Sequence, residues 1–229
     1  PYGHNNNNGD LISKWEEALG KGPSPEAGYR PIANDGKEAN ALFRAFLQEA
    51  KRVLVPRGCC CCCCCGGGGP DPQFARWSLW MDEILTFKMC VVWDKGGLGM
   101  GWHYRRNWEC VLVGQKGSSC NWYGGKDVPN VVHFPKIIPS VDQHPTQKPV
   151  ELMEFFIKLH TRPGDVVLDP FAGSGTTLVA AKKLQRQYIG FELDSRWIAM
   201  ADERLRKTSP FPLDVLRHQQ TKILEEPRP

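Results

Sequence analysis

Hydrophobic residues recur at intervals of three and four from residue 40 onward, at Leu42, Phe43, Phe46, Leu47, Ala50, Val53 and Leu54. That spacing predicts an amphipathic helix, with Asn40 suited to its N-cap and "PRG" at 56–58 ending it. Phe74, Trp77, Trp80, Met81 and Ile84 repeat the pattern and predict a second helix over about 72–87, with Pro72 in its first turn. The period then changes. "MCVVWD" (89–94) and "ECVLVGQK" (109–116) read as strands joined by the Gly-rich, basic loop "KGGLGMGWHYRRNW". Residues 117–143 carry little periodicity and read as an irregular insert. A helix over 150–160, the turn "RPGD", the strand "VVLD", the helix "TLVAAKKL" opened by "GSGTT", the strand "YIGFEL" and a helix over 195–207 follow. Strands alternating with helices predict an α/β fold built on a parallel-rich sheet, here carrying one β-hairpin. Residues 1–39 are loop-like apart from a short helical candidate at 11–19. The last twenty residues, rich in Pro and charge, read as a tail in which "PLDVL" offers a short edge strand.

At 229 residues the chain suits one domain, and no apolar run approaches the roughly 18 residues a membrane helix needs. A membrane partner is therefore not expected. The formal charge of +4 and pI near 8.6 suit a polyanionic partner without establishing one. The opening "PYGHNNNNGD" lacks the apolar stretch of a signal peptide and has no initiating methionine, so a cytoplasmic protein and a piece of a longer reading frame are expected.

Ten cysteines would suggest a secreted disulfide scaffold if dispersed, but seven form the single run 59–65. Neighbours on an extended strand point to opposite faces, so the run cannot gather four thiolates around one ion. Free cysteine behaves as a small hydrophobe, and the run reads as a strand covered on both faces, with no metal. Soft-metal binding or redox sensing is the alternative.

"DPFAGSGTT" (169–177) carries the chemistry. Gly173 and Gly175 lie between a strand ending at Asp169 and a helix beginning near Gly175, where an open parallel sheet presents its strand ends to a ligand. A phosphate-cradling loop needs a Lys after the last glycine, and none follows Gly175. A dinucleotide fingerprint needs a third glycine where Leu178 stands. S-adenosylmethionine remains: its ribose wants an acid, and the next strand ends in Glu192, 23 positions beyond Asp169. A purely structural strand-turn-helix with an incidental acid is the alternative.

"HPTQKP" (144–149), "GDVVLDPFAGSGTT" and "YIGFELD" closely resemble the cofactor half of the DNA amino-methyltransferases, in the permuted β-type order where the catalytic segment comes first. "PY" before a polar loop, "FLQEAKRVLVPRG", "VVWDK" and "YRRNWECVLV" agree with the other half, so the likeness covers nearly the whole chain. It implies a Rossmann-like S-adenosylmethionine-dependent methyltransferase fold in one domain. Residues 1–116 would be the catalytic half, 117–143 a short target-recognition insert, 144–207 the cofactor half and 208–229 a tail. Asp169, Phe171, Gly173, Ser174, Gly175 and Thr176 would surround the methionine part of the cofactor, with Glu192 on the ribose. His144, Thr146, Lys148 and Pro149 would close over the amino-acid end.

The family's tetrad is D-P-P-Y or S-P-P-Y, and Pro1 and Tyr2 match its last two members. An exocyclic amine is a poor nucleophile because its lone pair is delocalised into the ring. Acceptors at the tetrad favour a more tetrahedral nitrogen that attacks the methyl in line, and the aromatic stacks on the base once it is flipped from the duplex. Without the first two members, the chain as given is expected to be weakly active or inactive. Adenine N6 is the expected target and cytosine N4 the alternative, with double-stranded DNA as partner and a homodimer as a further expectation. A non-catalytic DNA-binding module and a Rossmann-type oxidoreductase are the competing classes. Lys95, His103, Tyr104, Arg105 and Arg106 combine charge with aromatics in the Gly-rich loop and are the candidate DNA contacts, against the plain reading of a solvated hairpin.

Overall fold

The computed structural model describes residues 38–64, 73–98, 105, 107–137, 144, 146–212 and 215. The helical candidate at 11–19, Pro72 and the expected strand in the tail lie outside them or are not described as elements.

Helix α1 (Glu38–Val53) buries Ala39, Phe43, Leu47 and Ala50, the stripe its sequence spacing requires. It starts two residues before Asn40, which therefore lies within the first turn and is not the N-cap. The Asn40 Oδ1 instead accepts from the Trp77 indole N–H at 2.9 Å. Trp77 belongs to α2 (Gln73–Ile84), and its ring stacks on Phe43 at 4.1 Å and 9°. Trp77, Met81 and Ile84 are buried as expected, while Phe74 is exposed at the first turn of the helix.

The strands are β1 (Cys59–Cys64), β2 (Thr86–Asp94), β3 (Trp108–Gln115) and the three-residue β4 (Val131–His133), in sheet order β1-β3-β2-β4. β2 and β3 form the expected hairpin. β1 and β2 both pair antiparallel with β3, and β4 pairs parallel with β2. β4 lies in the segment read as irregular, because three residues are too few to show an alternation. A parallel pair, β5 (Val166–Asp169) and β6 (Gln187–Gly190), carries the second half. The four-stranded sheet is thus mixed, with a parallel pairing at β2–β4, while β5 and β6 form a separate two-stranded parallel sheet among the described residues.

Along β3 the side chains alternate between two cores. Cys110 and Leu112 join α1 and α2 on one face, and Val111 and Val113 join the opposite cluster. That second cluster contains Leu152, Phe156 and Ile157 of α3 (Val150–His160) and Ala180, Ala181 and Leu184 in and just after α4 (Thr176–Lys183). Full burial of Leu47, Met81 or Leu112 is worth about 1.5–3 kcal/mol each. Helices on both faces of one sheet make the expected α/β layering. β1 follows the same alternation: Cys60 and Cys62 face the first core, and Cys59, Cys61 and Cys63 the second, although only Cys60 is fully buried.

Glu154 is a buried acid on α3. Its Oε1 meets Lys183 of α4 at 2.6 Å and its Oε2 meets Lys158 at 3.5 Å, so α3 and α4 are locked by charge as well as by apolar contact. Helix α5 (Ser195–Lys207) is capped by Asp194, whose carboxylate accepts from the Arg196 N–H. No helix among the described residues is long and apolar enough to cross a membrane.

Candidate cofactor site at the Gly-rich turn

β5 and β6 run parallel in register, Asp169 opposite Gly190, so two acids arrive at the same sheet edge: Asp169 at the tip of β5 and Glu192 two residues beyond β6. Between β5 and α4 the chain must reverse within six residues, and Gly173 (φ 51°) and Gly175 (φ 75°) take the left-handed conformations that permit it. A side chain at Gly175 would also place its Cβ 2.7 Å from that of Ala201, so the glycine sets how closely α5 approaches the turn. The third glycine that a dinucleotide site would carry on the helix is absent, and the complementary arrangement replaces it. Leu178 projects from α4 onto Gly190, where a Cβ would lie 2.5 Å from its methyl.

Glu192 organises the bend. Its Oε2 accepts from the Gly173 N–H at 2.8 Å, and its Oε1 from the N–H groups of Leu193 and Asp194 at 2.8 and 3.0 Å. Asp169 accepts from the Phe171 N–H at 3.0 Å. Burial pushes the Asp169 carboxyl up from its ordinary range, against the opposing bonds from Thr177 and Phe171, and the charge of Glu192 adds to the rise.

The "HPTQKP" segment comes to this turn from well upstream, Gln147 reaching Ser174 across 27 positions. His144 Nε2 would sit 3.2 Å from a Cβ on Gly173, and the ring meets Trp197 of α5 edge-on at 4.5 Å. The Thr146 N–H and hydroxyl both reach His144 Nδ1 at 3.3 Å. Because a backbone N–H only donates, that nitrogen is the acceptor and Nε2 carries the proton. Burial pulls the His144 pKa down from its ordinary value, against the opposing charge of Glu192. Pro149 is buried at the start of α3. Phe171 is 42% exposed and meets Phe46 of α1 edge-on at 5.8 Å.

Lys148 was expected to meet a ligand carboxylate, and it has a partner of its own. Its ammonium donates to Glu109 Oε2 and lies 5.2 Å from the centre of the Trp93 ring. Lys95 meets the other oxygen of Glu109 at 3.3 Å with its side chain only 13% exposed. Within the fold, then, the charge of Lys95, one of the candidate DNA contacts, is paired with Glu109. Burial would raise the Glu109 carboxyl, but the two ammonium groups outweigh it and hold the pKa below 4.5. Of the remaining loop candidates Arg105 is exposed, while His103, Tyr104 and Arg106 lie outside the described residues, as do Pro1 and Tyr2.

Three contributors escaped the sequence reading. Gln147 Oε1 accepts from the buried Ser174 hydroxyl at 3.0 Å, joining the upstream segment to the turn. Arg204, in the last turn of α5, donates to the Ser174 carbonyl (2.6 Å), the Ser174 hydroxyl (2.9 Å) and the Thr176 hydroxyl (3.1 Å). A basic residue at a helix C-terminus looks like an ordinary dipole partner, so nothing local marked it. Third, Asp94, Gly96, Gly97, Leu98, Asn107 and His133 line an open cleft of about 450 Å³ at the root of the basic loop, with His133 3.1 Å from Asp94.

The strand-turn-helix bend, with an acid near each strand tip and a second segment packed over it, sits on a Rossmann-like methyltransferase fold. The DNA methylase family of N6/N4 methyltransferases matches residues 33–203, and the chain belongs to that family. It is 42% identical to the DNA adenine methyltransferase YhdJ of Escherichia coli (strain K12), over 81% of this chain and 77% of that protein. It is 49% identical to the type II methyltransferase M.HinfI of Haemophilus influenzae, over 31% of this chain and 20% of that protein, so it spans only a fifth of that relative. Among solved structures it resembles the M1.HpyAVI–SAM complex (TM-score 0.60, 28% identity, 72% of this chain and 83% of that one). It also shares the fold of the cytosine-N4-specific PvuII DNA methyltransferase (TM-score 0.62, 18% identity, 88% of this chain and 83% of that one).

Proposed function

We propose that this chain transfers a methyl group from S-adenosylmethionine to an exocyclic amine of a flipped base in double-stranded DNA, at adenine N6. The observation that carries the reading is the meeting of His144 and Gln147 with Gly173 and Ser174, a pocket edge assembled from two distant segments. Asp169, Phe171, Gly173, Ser174, Gly175 and Thr176 are proposed to surround the methionine part, and Glu192 the ribose. His144, Thr146 and Pro149 close the amino-acid end. Lys148, held by the Glu109 carboxylate, is proposed to stand at the same end. The 42% identity to an adenine methyltransferase favours adenine, whereas the shared fold with a cytosine-N4 enzyme supports cytosine N4 as the second reading. Pro1 and Tyr2 are proposed as the end of the tetrad, Tyr2 stacking on the extruded base.

The test is incubation with methyl-labelled S-adenosylmethionine and mixed DNA, using a chain extended upstream of Pro1, followed by nucleoside analysis. Label in N6-methyladenine is the expected result, and label in N4-methylcytosine would move the assignment to the second base. DNA retention without label would replace the enzyme by a binding module. For the DNA face, changing Arg105 and Arg106 together to alanine is expected to weaken binding to all sequences about equally and to reduce the salt slope by about two. An unchanged slope would remove the loop from the interface.

A further inference from the structure

The cysteine run does more than fill the core. Its alternation places Cys59 and Cys61 on the same face of β1, with their sulfurs 3.8 Å apart. His160, the last residue of α3, joins them: one ring nitrogen and both sulfurs all lie within 4.8 Å of one another. Tetrahedral zinc with Zn–S bonds of about 2.3 Å holds two thiolates about 3.8 Å apart, which is the separation already present.

The surroundings of His160 are those of a metal-binding imidazole. Its Nδ1 lies 3.2 Å from the Asn121 carbonyl. A carbonyl only accepts, so Nδ1 carries the proton and Nε2 keeps the lone pair that a metal needs. The edge of Trp122 or of the His160 ring closes one side, at 5.4 Å between ring centres. Asn121 is itself fixed, since its N–H donates to the Arg57 carbonyl at 2.9 Å, two residues before Cys59. Cys120, half-buried in the same loop, stands next in the chain to this anchor. Cys59, Cys61 and His160 are all half-buried, which leaves an ion a way in. By contrast, Cys60 and Cys62 approach to 3.4 Å on the opposite face, and no group of three metal-ligating side chains forms there among the described residues.

We propose that Cys59, Cys61 and His160 form a binding site for a soft divalent ion, zinc in kind. The site is separate from methyl transfer: α3 has eleven residues, so His160 lies about 16 Å along the helix from the end that carries Lys148 and Pro149. Its place in the fold makes it a clasp. It ties β1, in the first half of the chain, to the helix that leads out of the "HPTQKP" segment. Binding releases the thiol protons to solvent as the two S–Zn bonds form, with no change of oxidation state.

Titration of the reduced full chain with Co²⁺ reads the site directly. One equivalent is expected to give thiolate-to-cobalt charge-transfer bands and intense visible d–d bands, which one equivalent of Zn²⁺ then bleaches. Cys59→Ser, Cys61→Ser and His160→Gln are each expected to weaken Zn²⁺ binding by at least about a hundredfold, the upper end of what loss of an outer-shell partner costs. Cys90→Ser, on β2, keeps the bands. Absence of sulfur–cobalt bands in the parent chain would overturn the site, and so would bands that persist in the Cys59→Ser/Cys61→Ser double variant. Both readouts are independent of S-adenosylmethionine and DNA, so the clasp and the methyltransferase reading stand or fall separately.

Discussion

The Gly175→Val protein is expected to show no measurable affinity for S-adenosylmethionine and a lowered melting temperature. At φ 75° any residue with a Cβ is held in the left-handed region, at about 1–2 kcal/mol. The new Cβ would lie 2.7 Å from Ala201 Cβ and 3.2 Å from Ala201 Cα, atoms that cannot rotate away, and overpacking of that kind costs about 1–3 kcal/mol more. Relief requires α5 to retreat, and α5 carries Arg204, whose bonds fix Ser174 and Thr176. The strain thus reaches the proposed ligand surface as well as the core. Gly175→Ala separates the two effects, because it adds the same Cβ with no further bulk and is expected to fold with reduced affinity. Calorimetry and a thermal melt decide the matter: a valine variant with parent affinity would mean that the turn does not shape the cofactor cleft.

Second in size is the loss expected from Glu192→Ala, a fall in S-adenosylmethionine affinity of about two to four orders of magnitude. A hydrogen bond to a charged group is worth about 1.5–3 kcal/mol, and the proposed role gives Glu192 two such bonds to the ribose hydroxyls. The carboxylate has about four acceptor positions, and three already take the N–H groups of Gly173, Leu193 and Asp194. Accepting both hydroxyls therefore releases one backbone donor. Glu192→Gln keeps one oxygen acceptor and is expected to fall between the parent and alanine. If the alanine variant folds with the parent's circular dichroism and binds the cofactor unchanged, the ribose belongs to another residue.

Much of the fold was legible because its signals are local. The 3.6-residue spacing of Phe43, Leu47 and Ala50 marks α1, and that of Leu152, Phe156 and Leu159 marks α3, whose observed limits match those predicted. The run of positions buried on alternate faces marks β3. The glycines of the turn were readable for the same reason, since a reversal from strand to helix within a few residues demands positive φ somewhere, whatever surrounds it. β4 failed this test for want of length. Asn40 was misplaced because a cap is judged from the residue type alone, whereas Trp77, 37 residues away, supplied its partner.

The sequence by itself determined the order of helices and strands and the sharp bend at Gly173 and Gly175. Those follow from neighbours along the chain. Which charges face which was decided only by the tertiary structure: Lys95 and Lys148 converging on Glu109, Lys183 on Glu154, Arg204 on Ser174. The same holds for the histidine that stands beside two of the seven cysteines. Side-chain partners separated by tens of residues leave no period in the chain, and a polar group's role is fixed by whichever donor or acceptor packing brings within about 3 Å of it.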